Sequence, residues 1–268
     1  METKFCVLNP LTREFKEFKK PGKYYADVTY GFGYDSNIDD YKLVMTSNYE
    51  RDCCYIIDVY TVKSDSWSSS IQGMAKFSFP SGKGYCGVLF NVCLHWLAST
   101  GTHKVSSEVI FSFDICNEVV VNMSLPENIM PPTDYSGEVY KNVGVWGDCV
   151  GIAFLCNSVR IDVWVMQEYG AKDSWIRKYT TTQLRLPFPL QEIAFWTPLW
   201  CFNNGEILVE TGKQILLYEP KTERVTSVVA RDIVMDNSRQ IYVESIVSLG
   251  SGTYLEKLIT DEIVKNPE

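Results

Sequence analysis

His95 and His103 are the only imidazoles in this 268-residue chain. Histidine is the usual general base near neutral pH and a frequent zinc ligand, so this poverty restricts the chemistry at once. His95 alternates with Leu94 and Trp96 in a short strand-like run, LHWL, and reads as a structural histidine packed toward a neighbouring element. His103 sits in a polar turn, STGTHK, and is expected to be exposed. The nine cysteines are an odd number, scattered except for Cys53-Cys54, and no CxxC occurs. A structural zinc site wants four Cys/His ligands at paired spacing, and a disulfide framework belongs to small secreted chains. Reduced, mostly buried thiols fit better.

Other motifs dissolve in the same way. Gly82-Lys-Gly84-Tyr-Cys-Gly87 matches GxGxxG, but a dinucleotide site needs a strand before it and a helix after it. Here a Phe-Pro-Ser turn precedes and the strand-like GVLF follows. Asp35, Asp39 and Asp40 lack the alternation of a calcium loop and read as hairpin-turn residues. No G-x-S-x-G elbow occurs, and nothing selects a pair of carboxylates for glycoside chemistry. The sequence therefore assigns no catalytic residue, no cofactor and no metal site.

Charge narrows the partners. The chain carries 25 Lys+Arg against 33 Asp+Glu, a formal net charge of -8. Nucleic-acid binding wants a basic face. Only the first 23 residues are basic, through Lys4, Arg13, Lys16, Lys19, Lys20 and Lys23, which suits a solvated strand edge. No leader-like stretch opens the chain and no apolar run reaches the length of a membrane span. The expectation is a soluble protein of cytoplasm or nucleus, contacting neither nucleic acid nor membrane.

The elements that would position any site repeat. A strand, a polar turn and a second strand recur at FCVLNPLTREFKEF (5–18), YIIDVYTVKSDSWSSS (55–70), VIFSFDICNEVVVNM (109–123), RIDVWVMQEYGAKDSWIRKYT (160–180) and QILLYEPKTERVTSV (214–228). Leu8, Val59, Phe113, Val163 and Leu217 are equivalent points, spaced 50–54 residues apart. Further strand pairs lie between these hairpins, among them YGFGYD with KLVMTS and, across Asn203-Asn204-Gly205, AFWTPLWCF with EILVE. Each period thus holds about four strands and almost no helix, the signature of propeller blades. The fold class expected is all-β: a β-propeller-like, kelch-like ring of about five four-stranded repeats over residues 1–250. Trp67, Trp146, Trp164, Trp175, Trp196 and Trp200 fall in its strands and read as core. Residues 251–268 form a tail, where Thr253-Tyr-Leu-Glu256 and Leu255, Ile259 and Ile263 predict a short helix. The first repeat is incomplete: even with 240–249 added to 4–8 and 14–18 it holds three strands.

At this point the residues resemble a family. NPLTREFKEF, GFGYDSNIDDYKLV, VYTVKSDSW, VLFNVCLHWLA, IDVWVMQEYGAKDSWIRKYT and YVESIVSL occur in an order similar to the F-box-associated domain of plant F-box proteins, in the branch of S-locus F-box and F-box/kelch-like proteins. Two departures stand out: Leu8 replaces the aromatic usual before the NP turn, and the helical F-box is absent upstream. The resemblance implies a substrate-recruiting part of a Skp–cullin–F-box ubiquitin ligase, with no bond chemistry of its own. The Skp adaptor would be a partner only through an upstream F-box. A truncated form or an F-box-less relative is the expectation for this chain.

Partner contacts are expected from loops on a rigid scaffold. Candidate loops are 21–29, 48–53, 99–107 and 126–142. Within them Tyr24, Tyr25, Tyr49, Arg51, Tyr135 and Tyr140 are of the types favoured at interface hot spots. The alternative reading is a glycan-binding or glycan-processing propeller, with acids and tryptophans around a pocket.

Overall fold

The computed structural model describes residues 4–19, 28–49, 54–68, 71–73, 77–79, 86–102, 105–125, 129, 139–156, 160–181, 193–212, 214–228, 244–246, 248–252 and 254. Its architecture is all-β, in consecutive antiparallel sheets. A hairpin comes first, β1 (Lys4–Leu8) with β2 (Phe15–Lys19). The second sheet orders β3 (Thr29–Asp35), β4 (Asp40–Tyr49), β5 (Cys54–Thr61) and β6 (Ser66–Trp67), with β7 (Ile71–Gly73) also on β5. The third is built on β10 (Cys93–Thr102), β11 (Val105–Asp114) and β12 (Val119–Ser124), with β8 (Phe77–Ser78) and β9 (Val88–Phe90) on the free side of β10. The fourth orders β13 (Val139–Val145), β14 (Val150–Cys156), β15 (Arg160–Met166) and β16 (Trp175–Thr180). The fifth orders β17 (Ile193–Cys201), β18 (Ile207–Gly212), β19 (Ile215–Glu219) and β20 (Arg224–Val228).

The sheets stand as blades of a propeller-like arrangement, touching their neighbours through their first strands: β3 against β9 and β10, these against β13, and β13 against β17. Three large apolar seams fill the spaces between blades. Val44, Ile57 and Val59 meet Leu94, Trp96, Phe111 and Phe113. Ile110 and Met123 meet Val150, Ile152, Phe154 and Trp175. Trp146, Leu155 and Val163 meet Trp196, Val209, Leu216 and Tyr218. A sheet between two others is buried on both faces, so its strands lose the polar half of the alternation. In β11, Ile110 faces one neighbour and Phe111 the other. All seven residues of β14, VGIAFLC, are buried.

All five repeat hairpins expected from the sequence are present, as β1–β2, β5–β6, β11–β12, β15–β16 and β19–β20. Four of their turns share a backbone device: Arg13, Asp65, Glu118 and Glu223 each take a positive φ of 51–58° just before or within one residue of the returning strand. Asn and Asp side chains also close turns by accepting backbone N–H groups, as Asn9 does from Leu11 and Thr12 and Asp114 from Cys116 and Asn117.

Two expectations need correction. The described residues form four sheets of four or five strands, while the first hairpin stands as a two-stranded sheet, so a ring of five four-stranded blades is not what forms. In place of a helical turn at 253–256, Tyr254 makes an isolated antiparallel bridge to Glu14; the rest of the expected helix lies outside the described residues. The segment expected to join the first blade, 240–249, is described at 244–246 and 248–249, where it carries no strand. It is held by side chains instead: Asn9 Nδ2 donates to the Ser245 carbonyl at 2.8 Å.

Candidate interaction surfaces

The Gly87 N–H donates to the Tyr30 carbonyl at 2.6 Å and Leu89 lies over Gly33, so β3 and β9 run in the same direction. Strand directions then place the chain ends flanking 21–29, 48–53, 99–107 and 126–142 on one face, the loop face. Of the candidate contact residues, Tyr24, Tyr25, Arg51 and Tyr135 lie outside the described residues. Tyr49 closes β4 opposite Cys54. Tyr140 belongs to β13 rather than to a loop, because the strand starts at Val139, and it is half-buried against the last apolar seam.

The other end of the blades, the turn face, has a feature that the sequence reading missed. Hairpin turns are normally polar, yet Leu11, Ile38, Val92 and Phe202 occupy turns here and are 46, 53, 48 and 41% exposed. Leu8 at the end of β1, Val119 at the start of β12 and Trp200 near the end of β17 add exposed apolar surface on that face. Scattered exposed apolar residues are ordinary, and others occur elsewhere on the described surface, but the seven at this end of the blades make it a candidate interaction surface. The signal was legible: an apolar residue inside NPLTR, SNID, FNVC and CFNN.

Polar side chains brace this face. Lys42, 6% exposed at its side chain, places Nζ 2.8 Å from Asp35 Oδ2, 2.6 Å from Glu118 Oε1 and 3.0 Å from the Ile115 carbonyl. Burial alone would lower its pKa, but the two carboxylates outweigh that and hold it above the usual lysine value. The triad ties the second sheet to the third. Asp39 pairs with Lys63 and accepts from the Tyr34 hydroxyl, and Asp40 accepts the Tyr41 and Lys63 N–H groups, so the acidic cluster of the sequence is turn structure. Among the described residues no group of three His, Cys, Asp or Glu side chains is placed to hold a metal.

His95 is fully buried, with Nε2 2.9 Å from the Tyr169 hydroxyl and Nδ1 3.2 Å from the Val88 carbonyl. Desolvation pushes its pKa down to about 4, so it is neutral at pH 7 and serves as a latch between the third and fourth sheets. Tyr169 comes from the EYG turn after β15. Trp146, Trp175 and Trp196 are core as expected, whereas Trp200 is 53% exposed. At Gly87, the last glycine of the GxGxxG match, a Cβ would meet the Trp96 indole ring well inside van der Waals distance, so this glycine is needed for packing; residues 82–85 of the match lie outside the described residues.

A bladed scaffold with exposed apolar residues at the turns of one end is that of a protein-interaction module. The chain belongs to the F-box associated beta propeller domain family, whose model matches residues 1–256. It is similar to the F-box protein CPR1 of Arabidopsis thaliana, 26% identical over 272 residues that cover 91% of this chain and 64% of that protein. An F-box/kelch-repeat protein of Arabidopsis thaliana is 27% identical over 226 residues, covering 82% of this chain and 56% of the relative. A further F-box protein of the same plant is 27% identical over 250 residues, covering 83 and 59%. The chain thus spans less than two thirds of the length of each of these curated relatives.

Proposed function

We propose that this chain is the target-recruiting part of a Skp–cullin–F-box type ubiquitin ligase receptor, in the F-box/kelch-like branch of the family, acting in cytoplasm or nucleus. The observation that carries the reading is the family match across residues 1–256. The receptor makes and breaks no bonds; it contributes proximity and orientation to a reaction performed elsewhere in the complex. Adaptor binding requires an F-box upstream of these residues.

We assign the target contact to the turn face, centred on Trp200 and Phe202, because a half-exposed tryptophan is the type most enriched among interface hot spots. Tyr24, Tyr25, Tyr49, Arg51, Tyr135 and Tyr140 are proposed as a second set of contacts at or near the loop face. The test is quantitative proteomics on plant cells expressing or lacking the chain, with and without proteasome inhibition. A recruited target co-precipitates with the chain, accumulates when the chain is removed, and is stabilised by the inhibitor. The absence of any protein meeting all three criteria would count against the reading.

A further inference from the structure

Between the first hairpin and β3 lies an open apolar groove of about 380 Å³, walled by β1 on one side and by Tyr30, Phe32 and Leu43 of the second sheet on the other. In the other four hairpins of the repeat the first strand also pairs on its inner side: β5 with β4, β11 with β10, β15 with β14 and β19 with β18. Among the described residues β1 has β2 as its one partner strand. The Asn9–Glu14 backbone bond fixes the alternation in this hairpin, so Cys6 and Leu8 direct their N–H and C=O groups away from β2. Both residues are exposed and line the groove. Such an edge is a template for one more strand.

We propose that an extended, acidic and apolar segment of a partner protein adds to the free edge of β1 and fills the groove. Strand addition draws affinity from main-chain hydrogen bonds and selectivity from pockets for alternate side chains. The Cys6 and Leu8 main-chain groups supply the ladder. Every second side chain of the added strand then lies against Tyr30 and Phe32, which are 39 and 40% exposed. Charge selects the partner. Residues 4–19 carry four Lys/Arg against two Glu in a protein of net charge -8. Lys4 and Lys19 are register partners at the open end of the hairpin, Arg13 sits in its turn, and all three are exposed. Basic groups thus bracket both ends of the free edge, and acids flanking an apolar stretch complement them. A second copy pairing through its own β1 would instead add bases to an already basic edge. The contact is separate from Trp200 and Phe202, so it holds or fails apart from the role given to them.

The experiment selects a phage-displayed library of random peptides on the full chain and measures the selected peptides by fluorescence anisotropy. They should alternate apolar residues and carry Asp or Glu at their flanks. Cys6→Pro deletes the outward N–H and keeps the Phe5 and Val7 bonds to β2, so it should weaken binding about tenfold. Cys6→Ser, which keeps that N–H, and Trp200→Asp/Phe202→Asp should bind as wild type does. Amide hydrogen exchange on the unmodified chain gives a readout that needs no variant: the Cys6 and Leu8 amides exchange freely without peptide and become protected with it. No enriched peptide, equal affinity for Cys6→Pro and Cys6→Ser, or Cys6 and Leu8 amides already protected in the free chain would overturn the proposal. Selected peptides with basic flanks would overturn the acidic partner.

Discussion

The Glu14 carboxylate accepts the backbone N–H of Leu249 at 2.7 Å across 235 residues of sequence. Its other oxygen accepts from Ser248 Oγ, Ser251 N and Ser251 Oγ at 2.9–3.1 Å. One buried side chain at the start of β2 therefore holds the two ends of the chain together. Burial alone would raise the Glu14 pKa, but the bonds from Leu249, Ser248 and Ser251 outweigh it and hold the carboxyl below its ordinary value.

Glu14→Ala removes this clasp and leaves the Leu249 N–H buried without an acceptor. Hydrogen bonds to a charged group contribute about 1.5–3 kcal/mol, so the variant should lose roughly 2–3 kcal/mol. Calorimetry should show a melting temperature lower by about 5–10 °C, and proteolysis of the variant should start beyond residue 228. Because the folded pKa is depressed, this contribution is present above the ordinary carboxylate value and is lost as pH falls through the folded one.

His95 titrates in a different window. Its folded pKa of about 4 lies below the ordinary value of about 6.5, so the unfolded chain binds the proton first. Stability from the neutral imidazole is complete above pH 6.5 and falls as pH drops toward 4. Between pH 7 and pH 5 the loss should be about 2 kcal/mol. Urea midpoints at the two pH values test this, and His95→Gln should flatten the difference.

Lys42→Ala leaves Asp35, 1% exposed, with its charge buried and uncompensated. Removing one partner of a buried ion pair costs about 3–5 kcal/mol. The double variant Lys42→Met/Asp35→Asn should recover much of that loss in urea unfolding, because the charge itself is gone.

Gly87→Ala forces the Trp96 ring to move within a packed seam. Overpacking of this kind costs about 1–3 kcal/mol. The readout is a lower urea midpoint together with a changed tryptophan fluorescence spectrum.

The fifty-residue repeat was legible because every hairpin pairs an apolar strand with a turn rich in polar residues, and those turns are local structure. The two-stranded first sheet was partly legible, since strand counting already showed its first blade to be short. What local pattern could not reveal was the clasp: Glu14 looks like any surface acid, and its acceptors' partners lie more than 230 residues away. The candidate site divided along the same line. Tyr140 reads from the sequence as a loop aromatic, but β13 begins one residue before it. Leu11, Ile38, Val92 and Phe202 do not stand out in the sequence, because turns are recognised by their polar residues. The reading of His95 as structural fared better, because Leu94 and Trp96 beside it carry the necessary context; His103 lies outside the described residues.

The role proposed for the turn face is to recruit a protein. Its most direct test is affinity purification with quantitative mass spectrometry, comparing the chain with a Trp200→Asp/Phe202→Asp variant of equal thermal stability. Proteins stabilised by proteasome inhibition should co-purify with wild type and fall at least tenfold in the variant, as expected when a hot spot worth about 1.4 kcal/mol or more is removed. Equal recovery of the same proteins by both would contradict it.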